Sequence, residues 1–275
     1  MEKTFKGKKH LSLRLTILVL LSLVLLFTSC SVVKNNKEVE NNKQELPALI
    51  PYRKGDKWGF CDRNKKIVIQ PVYDFAMPFH EGLARVVVNG KWSFIDKNGN
   101  MVTEAVYDSA YKLHEGLAGV NINRKWGFIN KNGNMVIKAI YDSAWAFNEG
   151  LAAVKVNGKW GFIDKKGKVV IKPIYDDAWY FNEGLAPVEV NRKYGFINKK
   201  GDMVIKAVYD DAWNFHEGLA GVNINGKWGF IDKKGDMVIQ AVYDLVGYFE
   251  DGLAVVRVNG KGGYIDKNGT QYWED

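Results

Sequence analysis

The sequence predicts an all-β domain built from tandem repeats, and three observations carry that expectation. A motif beginning KWGF, with drift, recurs every 34 residues without insertion or deletion, at Lys57, Lys91, Lys125, Lys159, Lys193, Lys227 and Lys261. Within each copy, apolar and variable residues alternate at the two-residue period of a strand. Aromatic residues are abundant, 9 Trp, 13 Tyr and 14 Phe in 275 residues, and such side chains suit a pleated, half-buried surface. Helical tetratricopeptide arrays share the 34-residue period, but the two-residue alternation rules helix out.

In chain order, the N-terminus comes first. Lys3, Lys6, Lys8, Lys9 and Arg14 form a basic region, and a mostly apolar run follows from Leu15 to Phe27, too short to span a bilayer comfortably. Thr28, Ser29 and Cys30 come next. This pattern resembles the lipobox read by lipoprotein signal peptidase, with Phe27 where the pattern prefers Leu. The resemblance implies that residues 1–29 are removed and that Cys30 is lipidated and becomes the new N-terminus. Two or three acyl chains then anchor the chain stably to a membrane. Residues 31–47 are polar and Asn-rich, so 30–47 is expected to be a flexible tether with an end-to-end distance on the order of 25 Å.

The repeat domain is expected over 48–275. ALIPYRKGD supplies a strand before the first KWGF, six full copies start at 57, 91, 125, 159, 193 and 227, and a partial seventh starts at 261. In the strand Leu185–Asn191, Ala186, Val188 and Val190 belong to columns that stay apolar across the copies. The opposite column varies through Val87, Asn121, Lys155, Glu189, Asn223 and Arg257, which predicts one buried and one wet face. KWGFID is the next strand, with Trp160, Phe162 and Asp164 on one face. Between the two lies Asn-Gly at 89–90, 157–158, 225–226 and 259–260, the signature of a type I′ hairpin turn, or Asn-Arg at 123–124 and 191–192. A second turn, Asp-Lys-Asn/Lys-Gly, predicts a type I turn with a glycine bulge, looser in the first copy where Lys65 replaces the glycine. A third strand runs through VVIKPIYD. The stretch DAWYFNEGL is read as a connection, so three strands are expected per repeat and no fourth.

Trp-Gly at 58–59, 126–127, 160–161 and 228–229, with the recurring Gly-Leu and Tyr-Asp pairs, resembles the WG (or KWG) repeat family. The resemblance covers residues 48–275, with Ser93, Tyr194 and Gly262 as departures. It implies a β-rich array of secreted or surface proteins, and it supplies no catalytic residue. The expected architecture is an open, twisted, solenoid-like array of three-stranded antiparallel meanders, with a closed β-propeller as the alternative.

Candidate chemistry is sparse. Tyr-Asp (Tyr73-Asp74 through Tyr243-Asp244) and the acids Glu81, Glu115, Glu149, Glu183, Glu217 and Asp251 recur in every copy. A group needed once per repeat serves the repeat, by accepting backbone N–H groups at turns. His80, His114 and His216 share a column with Asn148, Asn182 and Glu250, an exchange that metal ligation does not tolerate. Asp176-Asp177 and Asp210-Asp211 are weak calcium candidates, since calcium loops concentrate more oxygen ligands. Cys61 stands in a column of isoleucines and reads as an inert core thiol. No motif calls for a metal or a cofactor, and none announces an enzyme. The mild net charge of +8 is dispersed, and the first 29 residues hold five basic residues and one acid, which argues against a nucleic-acid partner.

One column invites a ligand. It reads Met77, Tyr111, Trp145, Trp179, Trp213 and Gly247, aromatic only in the middle of the array. Stacked repeats would align Tyr111, Trp145, Trp179 and Trp213 as a ladder, either core packing or a platform for a sugar or extended peptide centred on Trp145 and Trp179. The adjoining column, Lys112, Ala146, Tyr180, Asn214 and Tyr248, reads as facing water. The expected function is therefore a membrane-anchored surface module binding a protein or glycan. A purely structural envelope lipoprotein is the first alternative, and an enzyme of unrecognised type the second. The expected location is the cell envelope: the outer membrane in a Gram-negative cell, where Ser31 after the lipidated cysteine favours export, or the outer face of the cell membrane in a Gram-positive one.

Overall fold

The computed structural model describes residues 48–274. The expected signal peptide, Cys30 and the expected tether lie outside the described residues. The repeat domain belongs to a compact unit, Glu45–Asp275.

The described chain forms seven small antiparallel sheets in succession. The fifth is representative: Asp177–Ala178, Leu185–Val190, Lys193–Asn198 and Met203–Tyr209, paired in that order. The first sheet lacks the two-residue strand and opens on the upstream strand Ile50–Lys54, which pairs with Lys57–Cys61. The last sheet holds Leu245–Glu250, Leu253–Val258 and Lys261–Asp266.

The three-stranded meander is present as expected, and the two-residue strand is an addition to it. Within the stretch read as a connection, Asp177 and Ala178 pair with Glu189 and Val188. The chain then turns at Asn182-Glu183-Gly184-Leu185, where Asn182 and Leu185 exchange both backbone hydrogen bonds. Glu183 has φ 53° and Gly184 φ 86°, so Glu-Gly, or Asp251-Gly252 in the sixth copy, is a second type I′ hairpin turn in every full repeat. Sheet boundaries consequently fall at Tyr-Asp, half a repeat away from KWGF.

The predicted hairpins take the predicted turns. Val190 pairs with Lys193 around Asn191-Arg192, and Asn191 and Arg192 have φ 51° and 63°. At the second turn, Gly201 N–H donates to Asn198 O at 2.9 Å, and Asn198 Oδ1 accepts the N–H groups of Lys200 and Asp202. The expectation of a looser first turn is overturned. Lys65 adopts φ 63° and its N–H donates to Asp62 O at 3.0 Å, so the first turn closes like the others and absorbs the left-handed strain.

The expected wet face is also corrected. In Leu185–Val190 the first four residues are buried, on both faces of the strand. Each interior sheet lies between two neighbours, so the strand is half-buried only where it emerges, at Glu189 and Val190. Phenylalanines join the sheets: Phe128 to Phe147, Phe162 to Phe181 and Phe230 to Phe249, each with ring centroids 4.8 Å apart. Cys61 is buried as a free thiol.

The glycine of Trp-Gly has a steric cause. The fourth strand bulges where it crosses the third: Trp160 pairs with Tyr175 and Phe162 with Ile171. A Cβ on Gly161 would lie 2.5 Å from Ile171 O and 2.6 Å from Pro173 N. Only a residue without a side chain lets that backbone pass.

The array is open. Among the described residues no sheet joins its two ends, and the outer face of the last sheet is uncovered: Leu253 is 39% exposed where its interior equivalent Leu219 is 8%.

Candidate functional site

The two-residue strands place the aromatic column. Ala144, Ala178 and Ala212 are buried in those strands, and the next residue turns its ring along the array. Trp145 N–H donates to Ala153 O and Trp213 N–H to Gly221 O. Trp145 stacks on Trp179 with centroids 5.4 Å apart and planes 12° from parallel, and Trp179 meets Trp213 edge-on at 5.6 Å. Tyr111 stacks on Trp126 at 4.6 Å, and Trp213 on Trp228 at 5.4 Å. Trp145 Nε1 donates to Ala178 O at 3.1 Å, across the boundary between sheets.

The ladder therefore forms, but its accessibility differs along its length. Tyr111 and Trp145 are half-buried, whereas Trp179 and Trp213 are only 4% and 6% exposed. A platform centred on Trp145 and Trp179 is thereby corrected to its first half, since Trp179 is held between Trp145 and Trp213 and Tyr248 packs edge-on against Trp213 at 5.9 Å. The adjoining column does not face water in its later part. Asn214 is buried and donates through Nδ2 to Tyr180 O. Tyr248 packs on His216 with centroids 4.1 Å apart. Burial, and then Tyr180, push the Tyr248 hydroxyl well above the ordinary phenol range. The signal in the sequence was Tyr180, Asn214 and Tyr248 at 34-residue spacing, a polar run that reads as solvated until the neighbouring sheets close over it.

The recurrent charges stitch the scaffold. The Lys of KWGF pairs with the Asp of Tyr-Asp: Lys57–Asp74 at 2.6 Å, Lys125–Asp142 at 2.5 Å, Lys193–Asp210 at 2.5 Å and Lys227–Asp244 at 2.6 Å, with Lys91–Asp108 and Lys159–Asp176 alike. The hydrogen bond from each lysine holds the carboxyls of Asp74, Asp108, Asp142, Asp210 and Asp244 below the usual carboxylate range. Asp108 and Asp210 also accept the turn N–H of Asn123 and Asn225. These pairs are substantially exposed, so each adds little stability by itself.

The glutamates act between sheets. Glu115, Glu149, Glu183 and Glu217 accept the N–H of Gly150, Gly184, Gly218 and Gly252 in the next turn. The His/Asn column bridges sheets too: His114 Nδ1 lies 2.7 Å from Phe147 O, and the Nδ2 groups of Asn148 and Asn182 donate to Phe181 O and Phe215 O. One ring or amide nitrogen is enough, which explains the exchange of His for Asn. In the calcium candidates, the two carboxylates of each pair have different partners: Asp176 meets Lys159 and Asp177 accepts from the Tyr194 hydroxyl at 2.6 Å. Among the described residues no group of three metal-ligating side chains converges.

Six consecutive segments match the profile of the WG containing repeat: 58–92, 92–126, 126–160, 160–194, 194–228 and 228–261. The chain belongs to the WG-repeat family. No curated protein matches the WG array by sequence. Among solved structures it is similar to a eukaryotic initiation factor, at 10% identity and TM-score 0.55, over 81% of this chain and 72% of that one. It is also similar to BamB from Moraxella catarrhalis, at 11% identity and TM-score 0.45, over 80% and 76% of the two chains. A further match is the extracellular domain of the putative one component system BT4673 from B. thetaiotaomicron, at 13% identity and TM-score 0.44, over 78% of this chain and 35% of that one. The first likeness concerns the fold alone. A WG array is a β-rich repeat of the kind that serves as a binding or interaction module, and the stitches above account for its recurrent polar residues without invoking a reaction.

Proposed function

We propose that this protein is a lipid-anchored interaction module of the bacterial envelope, held to the membrane through Cys30, whose WG array docks a protein partner along its exposed edge strands. One observation carries the docking reading. The last strand of the first, third, fourth, fifth and sixth sheets displays two outward β-branched residues, Val68 and Val72, Val136 and Ile140, Val170 and Ile174, Val204 and Val208, and Val238 and Val242. Ile140 and Ile174 are each 60% exposed. Isolated exposed apolar residues need no explanation, but a set repeated on successive sheet edges marks an interaction surface. An edge strand also offers backbone groups for strand addition. Gln70, Lys138, Lys172, Lys206 and Gln240 stand between the paired apolar residues and suit a polar rim. The basic region, the apolar run to Phe27 and Cys30 support the anchor.

A glycan partner keeps a narrower basis, the half-buried Tyr111 and Trp145. The deciding experiment combines Ile140→Lys and Ile174→Lys in the full chain and compares proteins cross-linked to it and to the parent in native envelopes. The expected outcome is loss of specific cross-linked partners with an unchanged melt. Retention of every partner sinks the docking reading. In the same cells, Cys30→Ala is expected to abolish labelling by a palmitate analogue and to leave a larger precursor, and continued labelling sinks the anchor.

A further inference from the structure

Among the described residues, the glutamate stitches define a receptor geometry that four glutamates fill through a glycine N–H and a lysine, that Glu81 fills at Gly116 through backbone N–H groups, and that no glutamate fills at Gly82. Each receptor is a turn glycine N–H and a lysine 15 residues further on. Gly150 with Lys165 holds Glu115, Gly184 with Lys199 holds Glu149, Gly218 with Lys233 holds Glu183, and Gly252 with Lys267 holds Glu217. Glycine N–H distances are 2.9, 3.0, 3.0 and 3.1 Å, and lysine distances are 3.1, 3.0, 3.0 and 2.8 Å, in the same order. At Glu115, burial raises the carboxyl, but Lys165 and the N–H of Gly150 outweigh it and hold the group below its usual range. The pair is thus a receptor for a carboxylate anion, of the charge-assisted kind.

Gly82 and Lys97 have the same spacing and occupy the same positions in the second sheet. The glutamate that would serve them falls at position 47, which is Pro47. Gly82 and Lys97 instead line an open cavity with Ala48, Leu49, Phe79 and Glu81. Glu81 does not compete for them. Its carboxylate is turned to the next turn, accepting the N–H groups of Glu115 and Gly116 at 2.9 and 2.8 Å. An acidic residue beside the turn glycine is also present at every filled receptor, Glu149, Glu183, Glu217 and Asp251.

We propose that Gly82 and Lys97 form a binding site for a glutamate side chain presented by a partner protein, with Leu49 and Phe79 as the apolar wall beside it. The chain itself shows what such a receptor accepts: a glutamate within an Asn/His-Glu-Gly-Leu turn. The site goes beyond the edge-strand surface and does not depend on it.

The test uses the full chain in detergent and an acetylated peptide of its own turn, AFNEGLA, with AFNQGLA as the control. Binding is read from the Gly82 amide resonance during titration. The glutamate peptide is expected to shift that resonance and to bind about tenfold more tightly than the glutamine peptide, the loss expected for one charge-assisted contact. Lys97→Gln is expected to erase the difference while leaving the melt unchanged. Equal binding of the two peptides, or a Gly82 resonance that does not move, overturns the proposal. So does binding that appears only after Glu45→Gln, because a carboxylate of the chain's own tether would then be the occupant.

Discussion

Arg192 and Glu183 both sit at positive φ, for opposite reasons. Glu183, with φ 53°, has a carboxylate that reaches Gly218 and Lys233 in the next sheet, so its left-handed backbone is tied to an inter-sheet contact. Arg192, with φ 63°, is exposed at the tip of a hairpin, and its left-handed strain, about 1 kcal/mol, has no such compensation. Arg192→Gly is therefore expected to raise stability by about 1 kcal/mol, measured by denaturant unfolding. A lower midpoint would mean that the arginine side chain contributes a contact larger than its strain. The Asn-Gly and Asn-Arg turns were legible from two residues each, because few residue pairs accept positive φ twice. The Glu-Gly turn was not, because glutamate is disfavoured there until its carboxylate finds the neighbouring sheet.

At the scale of the element, the fourth strand depends on the glycine of Trp-Gly. The second sheet supplies an internal comparison. Ser93 replaces that glycine, and the segment after it forms only isolated bridges at Met101 and Tyr107 where other sheets form a strand. Ser93 Oγ donates to Thr103 O at 2.6 Å, and Thr103 Oγ1 accepts from Phe94 N–H at 3.1 Å, so side chains replace part of the lost ladder. Gly161→Ala has no such replacement. It is expected to cost about 2 kcal/mol through overpacking and to remove amide-exchange protection across Val169–Tyr175. Unchanged protection in that strand would show that the bulge can move aside. The strand was legible from VVIKPIYD, but the reason for the glycine was not, since it lies in a backbone passing over it.

Across the whole molecule, stitches, phenylalanine pairs and glutamate contacts all join neighbouring sheets. Deleting residues 125–158 removes one repeat and joins equivalent points, so each new neighbour meets the surface it was built to meet. The variant is expected to unfold cooperatively at a somewhat lower temperature, read by calorimetry. A broad or multistep melt would mean that distant sheets support one another, as in a closed ring. The period and the absence of insertions already implied such an array. Its openness is decided by the uncovered Leu253 and the lack, among the described residues, of any sheet joining the ends.

What the sequence by itself determined was everything set by a few adjacent residues: the 34-residue period, the three strands of the meander, the Asn-Gly turns, the buried Cys61 column and the family. Turn conformation and strand alternation are local steric properties, so they can be read without neighbours. Only the tertiary structure decided that both faces of the second strand are buried, that Trp179 and Trp213 are closed off while Trp145 stays half-open, and that Gly82 and Lys97 share one cavity. Each of these depends on what an adjacent sheet covers. Burial by stacking adds a face without changing the alternation along the strand, so the one-dimensional pattern contains no record of it.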